Sequence, residues 1–370
     1  MLLSYQKLLN GKNIGVVFGS FAPLHQGHLD LIMRAKKEND GGCIVIVCGY
    51  DGDKGEPLMT HKKRYRYVRE FFAGDELVAV YAINDTELQI AKYPNGWEKW
   101  LTEFKRIWDF AVESKSAKRN WYVGEQDYYT GLTQRGENAI LIDRTENLIS
   151  ATMIRQNPIK HWDKIAYPFR RIFSTNILII GTASEGKSIM TTDLGKYFNA
   201  PHSWEWARDY IEESCISDWE FDSADFMAFL EGQYNLNKKL INSPANNGIF
   251  FADSDAMTTR MYAEQYAKEE CCELTQEEFE KIAVMADEYA RKSRWDKIYL
   301  LCPKGTFVDD HSRFLLHSGM EERQELFEIL CNNIKNTGNW GKVTILDGGY
   351  WKNFERIVKD VRGIIENGKA

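Results

Sequence analysis

Two turns in this 370-residue chain carry residue types whose spacing could do chemistry. The first, Gly19-Ser-Phe21-Ala-Pro-Leu-His25-Gln-Gly27-His28, follows the apolar run 14–18. A glycine-led turn lets the main chain approach a phosphate with no Cβ in the way. His25 and His28, at the opening of a helix, can both face an anion that the helix N-terminus already favours. Their chemistry would be hydrogen bonding to a triphosphate and to the charge that develops as pyrophosphate leaves, with no covalent intermediate. Gly19 and Phe21 are expected to border that nucleotide. The second turn, Gly181-Thr-Ala-Ser-Glu185-Gly186-Lys187-Ser188, follows the apolar run 177–180. Its amides would cradle a β-phosphate, Lys187 would reach the β- and γ-oxygens, and Ser188 would place its hydroxyl on Mg²⁺.

Further residues group with each turn. Ile149-Ser150-Ala-Thr152-Met-Ile-Arg155 offers two hydroxyls and a planar fork for phosphate oxygens, and equally spells a capped helix start. Tyr93-Pro-Asn-Gly-Trp97 reads as a turn exposing an aromatic, where Trp97 could stack on a pyridine ring or anchor packing. Asp127, after a strand, could contact ribose or an amide, or cap a helix. Lys62, Lys63 and Arg64 read as a solvated face, with Arg64 an option for phosphate. With the second turn go Trp204-Glu205-Trp-Ala-Arg208-Asp209-Tyr210, suited to receive an acceptor hydroxyl, where Glu205 and Asp209 are both candidate bases. Asp253 and Asp255 end an apolar run where a Mg²⁺ ligand belongs, or else cap the next helix. Arg313 and Arg323 would suit a lid delivering guanidinium groups to a transferring phosphoryl.

Such turns need rigid strands beneath them. Apolar β-rich runs at 13–18, 43–48, 77–83, 121–123 and 139–142 alternate with helical periodicity such as 28–37. The rhythm returns with strands at 176–180, 248–252, 297–302 and 342–346 and helices at 186–198, 225–241, 256–266, 276–291, 321–335 and 351–366. Continuous apolar strands between helices predict an α/β fold with two parallel sheets. A Pro-containing, basic segment at 156–175 places the boundary between domains 1–165 and 166–370.

Composition narrows the partners. A net charge of −7 gives no broad electrostatic footprint for nucleic acid. No apolar run approaches the roughly 20 residues that cross a bilayer, and the N-terminus lacks a signal-peptide pattern. Seven cysteines without a CxxC pair predict reduced thiols and a cytoplasmic location. Oligomeric state is left open, a homo-oligomer included.

The first turn resembles the HxGH signature of the nucleotidylyltransferase superfamily, which implies a Rossmann-like domain. The 149–155 segment looks like the ISxTxIR motif of its adenylyl-transferring members. Taken in order, GSFAPLHQGH, YPNGW, ISATMIR, GTASEGKS, EWARDY, FFADSD and VDDHSR resemble the NadR family over nearly the whole chain. That resemblance implies an N-terminal nicotinamide-nucleotide adenylyltransferase and a C-terminal P-loop ribosylnicotinamide kinase, with ATP and Mg²⁺ as cofactors. Nicotinamide riboside and its mononucleotide would be substrates and NAD the product. It also implies that His25, His28, Ser150, Thr152 and Arg155 serve one ATP, that Gly186, Lys187 and Ser188 serve the other, and that Asp253 or Asp255 serves the metal. Family members with a DNA-binding helix-turn-helix domain carry it before the first strand. Only about a dozen residues stand there in this sequence, so no DNA binding is expected. A different adenylyltransferase–kinase fusion, or a NAD-responsive regulatory protein with vestigial sites, are the alternatives.

Overall fold

Strand pairing divides the protein into two parallel sheets, one in each of two units, Met1–Phe173 and Ser174–Ala370. The computed structural model describes residues 7–52, 59–142, 149–269, 272–304 and 319–367. In the first unit the elements run β1 (Asn13–Gly19), α1 (Gln26–Lys37), β2 (Cys43–Val47), α2 (His61–Phe71), β3 (Val78–Ala82), α3 (Trp97–Ala111), β4 (Lys118–Val123), α4 (Gln126–Thr133), β5 (Ala139–Leu141), α5 (Ala151–Gln156) and α6 (Tyr167–Phe173). The sheet order is β3-β2-β1-β4-β5, every pair parallel.

Alternation along the strands builds two cores. Val17, Val45 and Val47 join Ile32 and Val68 on one face, while Val16, Ile44 and Ile46 meet Trp97, Trp100 and Phe104 on the other. Strand β4 begins earlier than its apolar run, because Lys118 to Asn120 pair through the backbone with Asn13 to Gly15. Pairing needs no apolar side chain, so hydropathy gave no sign of it.

Helix α6 belongs to the first unit. Phe169 is buried against Tyr67, Arg171 pairs with Glu70, and the Ala166 amide donates to Leu24 O at 3.1 Å. The contacts therefore part after Phe173 rather than after residue 165.

The second unit runs β6 (Thr175–Gly181), α7 (Lys187–Phe198), α8 (Trp206–Ser214), α9 (Ser223–Ile241), β7 (Ile249–Asp253), α10 (Ala256–Glu269), α11 (Gln276–Lys292), β8 (Lys297–Leu301), α12 (Met320–Asn336), β9 (Val343–Leu346) and α13 (Tyr350–Asn367). Its sheet order is β7-β6-β8-β9, again parallel. Asp222 and Thr275 open α9 and α11 with capping boxes. Helix α8 fully buries none of its residues and has no counterpart among the helices expected from sequence. Cys43, Cys48, Cys215, Cys272, Cys302 and Cys331 are free thiols, and no described helix is long and apolar enough to cross a membrane.

Candidate active sites

The first turn closes around its two histidines. Gly19 ends β1, and a Cβ there would lie 3.4 Å from the Phe21 ring. Phe21 is fully buried with a left-handed backbone (φ 44°), a conformation that costs a non-glycine residue about 1–3 kcal/mol. It packs edge-on to His28 at 5.0 Å. His25 caps the start of α1, and the two imidazole centroids stand 3.8 Å apart with their planes 31° from parallel. Gly27 lies against this pair, and a Cβ there would make only an ordinary contact, 3.4 Å from His25 Cε1. The first turn of α1 carries no acidic residue and its last carries Arg34, Lys36 and Lys37, which leaves the N-terminus to an anion.

The 149–155 segment serves both readings. Ser150 caps α5 by accepting from the Met153 amide at 3.2 Å. Arg155 donates to Ala22 O at 2.6 Å and to Thr152 Oγ1 at 3.0 Å, so its fork already touches the histidine turn.

Beside His28 a cleft of about 430 Å³ opens at the carboxyl ends of β1 and β4. From these two neighbours the chain runs outward in opposite directions, which is where open parallel sheets bind ligands. Trp97 lines it, but the turn does not expose this indole. Trp97 is only 7% exposed, edge-on to Phe18 (6.1 Å) and Tyr128 (6.2 Å), while Tyr93 stands 49% exposed. Helical periodicity explains the difference: Trp97, Trp100 and Phe104 share the buried face of α3. Asp127 lies exposed in the first turn of α4 and does not line the cleft; Glu125 and Tyr128 do.

Arg64 departs from the solvated-face reading. It is 1% exposed and donates to the carbonyls of Ser20 (2.5 Å), Cys48 (2.8 Å) and Met59 (3.1 Å). It therefore braces the loops behind the cleft. Sequence reasoning also missed Asp85, which lines the cleft after β3. Its position just beyond a strand's carboxyl end was the available signal.

In the second unit Gly181 must lack a side chain, because a Cβ would meet Leu301 O at 2.9 Å. Left-handed backbone at Ser184 (φ 62°) and Gly186 (φ 78°) curls the loop into the form of an anion nest. Lys187 is 7% exposed and folds back over the loop, Nζ donating to Thr182 O at 2.8 Å. Ser188 acts on the fully buried Asp253, whose Oδ1 accepts from Ser254 Oγ at 3.2 Å. Burial holds that carboxyl above the usual carboxylate range, with Lys187 opposing and Glu205 adding to the effect.

The expectations for this second site separate here. Asp255 accepts from Trp295 Nε1 (2.8 Å) and the Met257 amide (3.0 Å), so it opens α10 rather than facing Lys187. Glu205 is buried, pairs with Arg208 at 3.0 Å and lines a cavity of about 60 Å³ with Arg208, Ser254 and Tyr262. Asp209 instead accepts from Trp204 Nε1 at 2.6 Å, and Trp204 is 46% exposed; neither residue lines that cavity. Tyr210 donates to Asp225 at 2.8 Å and packs on Phe229, bracing α8 against α9.

Glu185 turns to Arg323 (2.8 Å), and both side chains are buried, so Arg323 anchors the loop instead of serving a solvent-facing lid. Arg313 lies outside the described residues. Gln233, which also lines the cavity, was not foreseen. It accepts from the Trp206 amide (2.8 Å) and donates to Trp204 O (3.1 Å), fixing the turn that carries Glu205.

Comparison with known proteins agrees with this division. A cytidylyltransferase-like family model matches residues 16–157 and an AAA domain model matches residues 176–352. The trifunctional NAD biosynthesis/regulator protein NadR of Salmonella typhimurium is 29% identical over 95% of this chain and 83% of its own length. Its Escherichia coli counterpart is 28% identical over the same shares. A crystal structure of NadR protein in complex with NR superposes with a TM-score of 0.85 at 34% identity, covering 98% of each chain. One in complex with NAD and AMP-PNP gives 0.84 at 34%, over 97% of this chain and 98% of that one.

Proposed function

This chain belongs to the NadR family, and from that premise we propose that it makes NAD from nicotinamide riboside in two ATP-dependent steps, one in each unit. The observation that carries this reading is that each sheet presents its own phosphate turn beside its own cavity.

In the C-terminal unit ATP lies along the 181–188 loop with Lys187 on its β- and γ-oxygens. The riboside's ribosyl end enters the cavity beside Glu205, which takes the proton of the primary ribosyl hydroxyl as that oxygen bonds to the γ-phosphorus. The bond from that phosphorus to ADP breaks, leaving nicotinamide mononucleotide. Ser188 and Asp253 supply hard oxygen donors that fit Mg²⁺, which keeps several waters and takes few protein ligands. When bound, the ion neutralises phosphate charge.

In the N-terminal unit the mononucleotide's phosphate oxygen attacks the α-phosphorus of ATP and pyrophosphate departs. No proton need move, so the protein's task is charge stabilisation. His25, His28 and Arg155 donate to the triphosphate, with Ser150 and Thr152 ordering the turn that brings Arg155 there. Trp97 offers its ring to the pyridine.

Purified protein given nicotinamide riboside, ATP and Mg²⁺ should form the mononucleotide and then NAD. Lys187→Ala should lose riboside phosphorylation yet still convert added mononucleotide, and His28→Ala should accumulate mononucleotide. No product from the parent protein, or loss of both steps in either variant, overturns the assignment.

A further inference from the structure

A general base must stand within hydrogen-bond reach of the proton it takes, yet the helix that Glu205 opens is poorly anchored by packing. Helix α8 fully buries none of its residues, and Glu205 precedes it in extended backbone (φ −72°, ψ 101°). Tyr210 braces the middle of that helix against α9 through Asp225. The stretch before it is held by another residue of α9, Gln233, which is 4% exposed. Its side chain meets the main chain on both sides of Glu205. Oε1 accepts from the Trp206 amide at 2.8 Å, and Nε2 donates to Trp204 O at 3.1 Å. A main-chain N–H only donates and a C=O only accepts, so these partners fix which way the amide is turned. Asn237, one helical turn on, accepts from the same Nε2 at 3.2 Å and steadies it.

The neighbouring position on α9 is shaped for the same stretch. Glycine inside a helix is a destabilising choice, but a Cβ at Gly232 would lie 2.2 Å from Trp206 Cε3 and push that ring away. Consecutive residues of one helix thus receive the ring and the backbone that flank Glu205. We propose that Gln233 is a positioning residue for riboside phosphorylation: it holds residues 204–206 so that the Glu205 carboxylate stands where the acceptor hydroxyl arrives. An amide suits this task because it is neutral. A second cation beside Arg208 could grip the same carbonyl, but it would also draw down the basicity of the carboxylate it positions. Misplacing a reacting group by about 1 Å costs on the order of 100-fold in rate, and that sets the scale of the effect.

This role depends on the kinase reading, in which Glu205 is the base, and the test separates the two. Riboside phosphorylation is measured in Gln233→Met, which fills the space without hydrogen bonds, and in Gly232→Ala, which keeps the bonds and crowds Trp206. Each change is made alone and together with Glu205→Gln. Alone, each should lower kcat by ~10–100-fold. KM for riboside and for ATP should stay within ~3-fold, since neither change removes a contact to a substrate. In the Glu205→Gln background the same changes should lower kcat by less than ~3-fold, because a residue that acts through another loses its effect once the other is gone. Either variant decides the matter if the other is insoluble. A fall in kcat of equal size in both backgrounds, a raised KM for riboside at constant kcat, or unaltered kinetics in both variants overturns the role of Gln233. Failure of the unaltered protein to phosphorylate the riboside overturns the kinase reading itself.

Discussion

Glu205 and Asp209 stand four residues apart with the same charge, and their surroundings assign them different work. Glu205 is buried at the cavity beside Asp253, whereas Asp209 is occupied by the Trp204 indole. Glu205→Gln should lower kcat for riboside phosphorylation by ~100-fold or more with KM little changed, as removal of a general base does. Asp209→Asn should stay within a few-fold, and steady-state kinetics of both variants would reverse this assignment if the ranking were inverted. Asp255 makes a prediction about stability. Burial raises its carboxyl from an ordinary 3.8 to about 6. The native state thus binds the proton before the unfolded state does. The stability this group contributes is full below the unfolded value and is lost as pH rises through about 6. Urea unfolding at pH 4.5 and 7.5, compared with the non-titrating Asp255→Asn, should show the parent gaining on the variant at the lower pH. The gain should be on the order of 2 kcal/mol; no gain, or one of opposite sign, would discount burial as the cause.

At the scale of elements, each turn is held by a distant partner. The 181–188 loop is tied to α12 through Glu185 and Arg323 and to the chain after β8 through the Lys304 amide, which donates to Glu185 at 3.2 Å. Removing one member of a buried pair strands the other charge at a cost of ~3–5 kcal/mol. Arg323→Ala should therefore lower the melting temperature and raise the KM for ATP in riboside phosphorylation several-fold, while adenylylation keeps its kinetics. A variant with normal ATP affinity would show that the pair stabilises α12 without shaping the loop. In the first unit Arg64 plays the corresponding part by joining the segments after β1 and β2 to the start of α2.

For the whole molecule, the apolar clusters are the informative feature. Two draw on residues up to Phe173 and two on residues from Ile177 onward, so each sheet has a core of its own. Residues 1–173 and 174–370, expressed separately, should fold and keep adenylylation and riboside phosphorylation respectively, each within a few-fold of the intact chain. An insoluble or inactive half would mean that its core is completed by the other unit.

The sequence by itself determined the α/β class, the two phosphate turns and the family, because these depend on local facts. A strand's apolar run, glycines where a Cβ would collide, and a helix start after each turn are all written in consecutive residues. Only the tertiary structure decided which way Trp97 faces, that Asp255 is spent on Trp295, and that Arg64 and Arg323 are buried. It alone revealed Asp85 and Gln233. Arg64 reaches a carbonyl 44 positions away and Arg323 a carboxylate 138 positions away. A side chain's burial and partners are set by what folds against it, and no pattern in its own neighbourhood records contacts made at that distance.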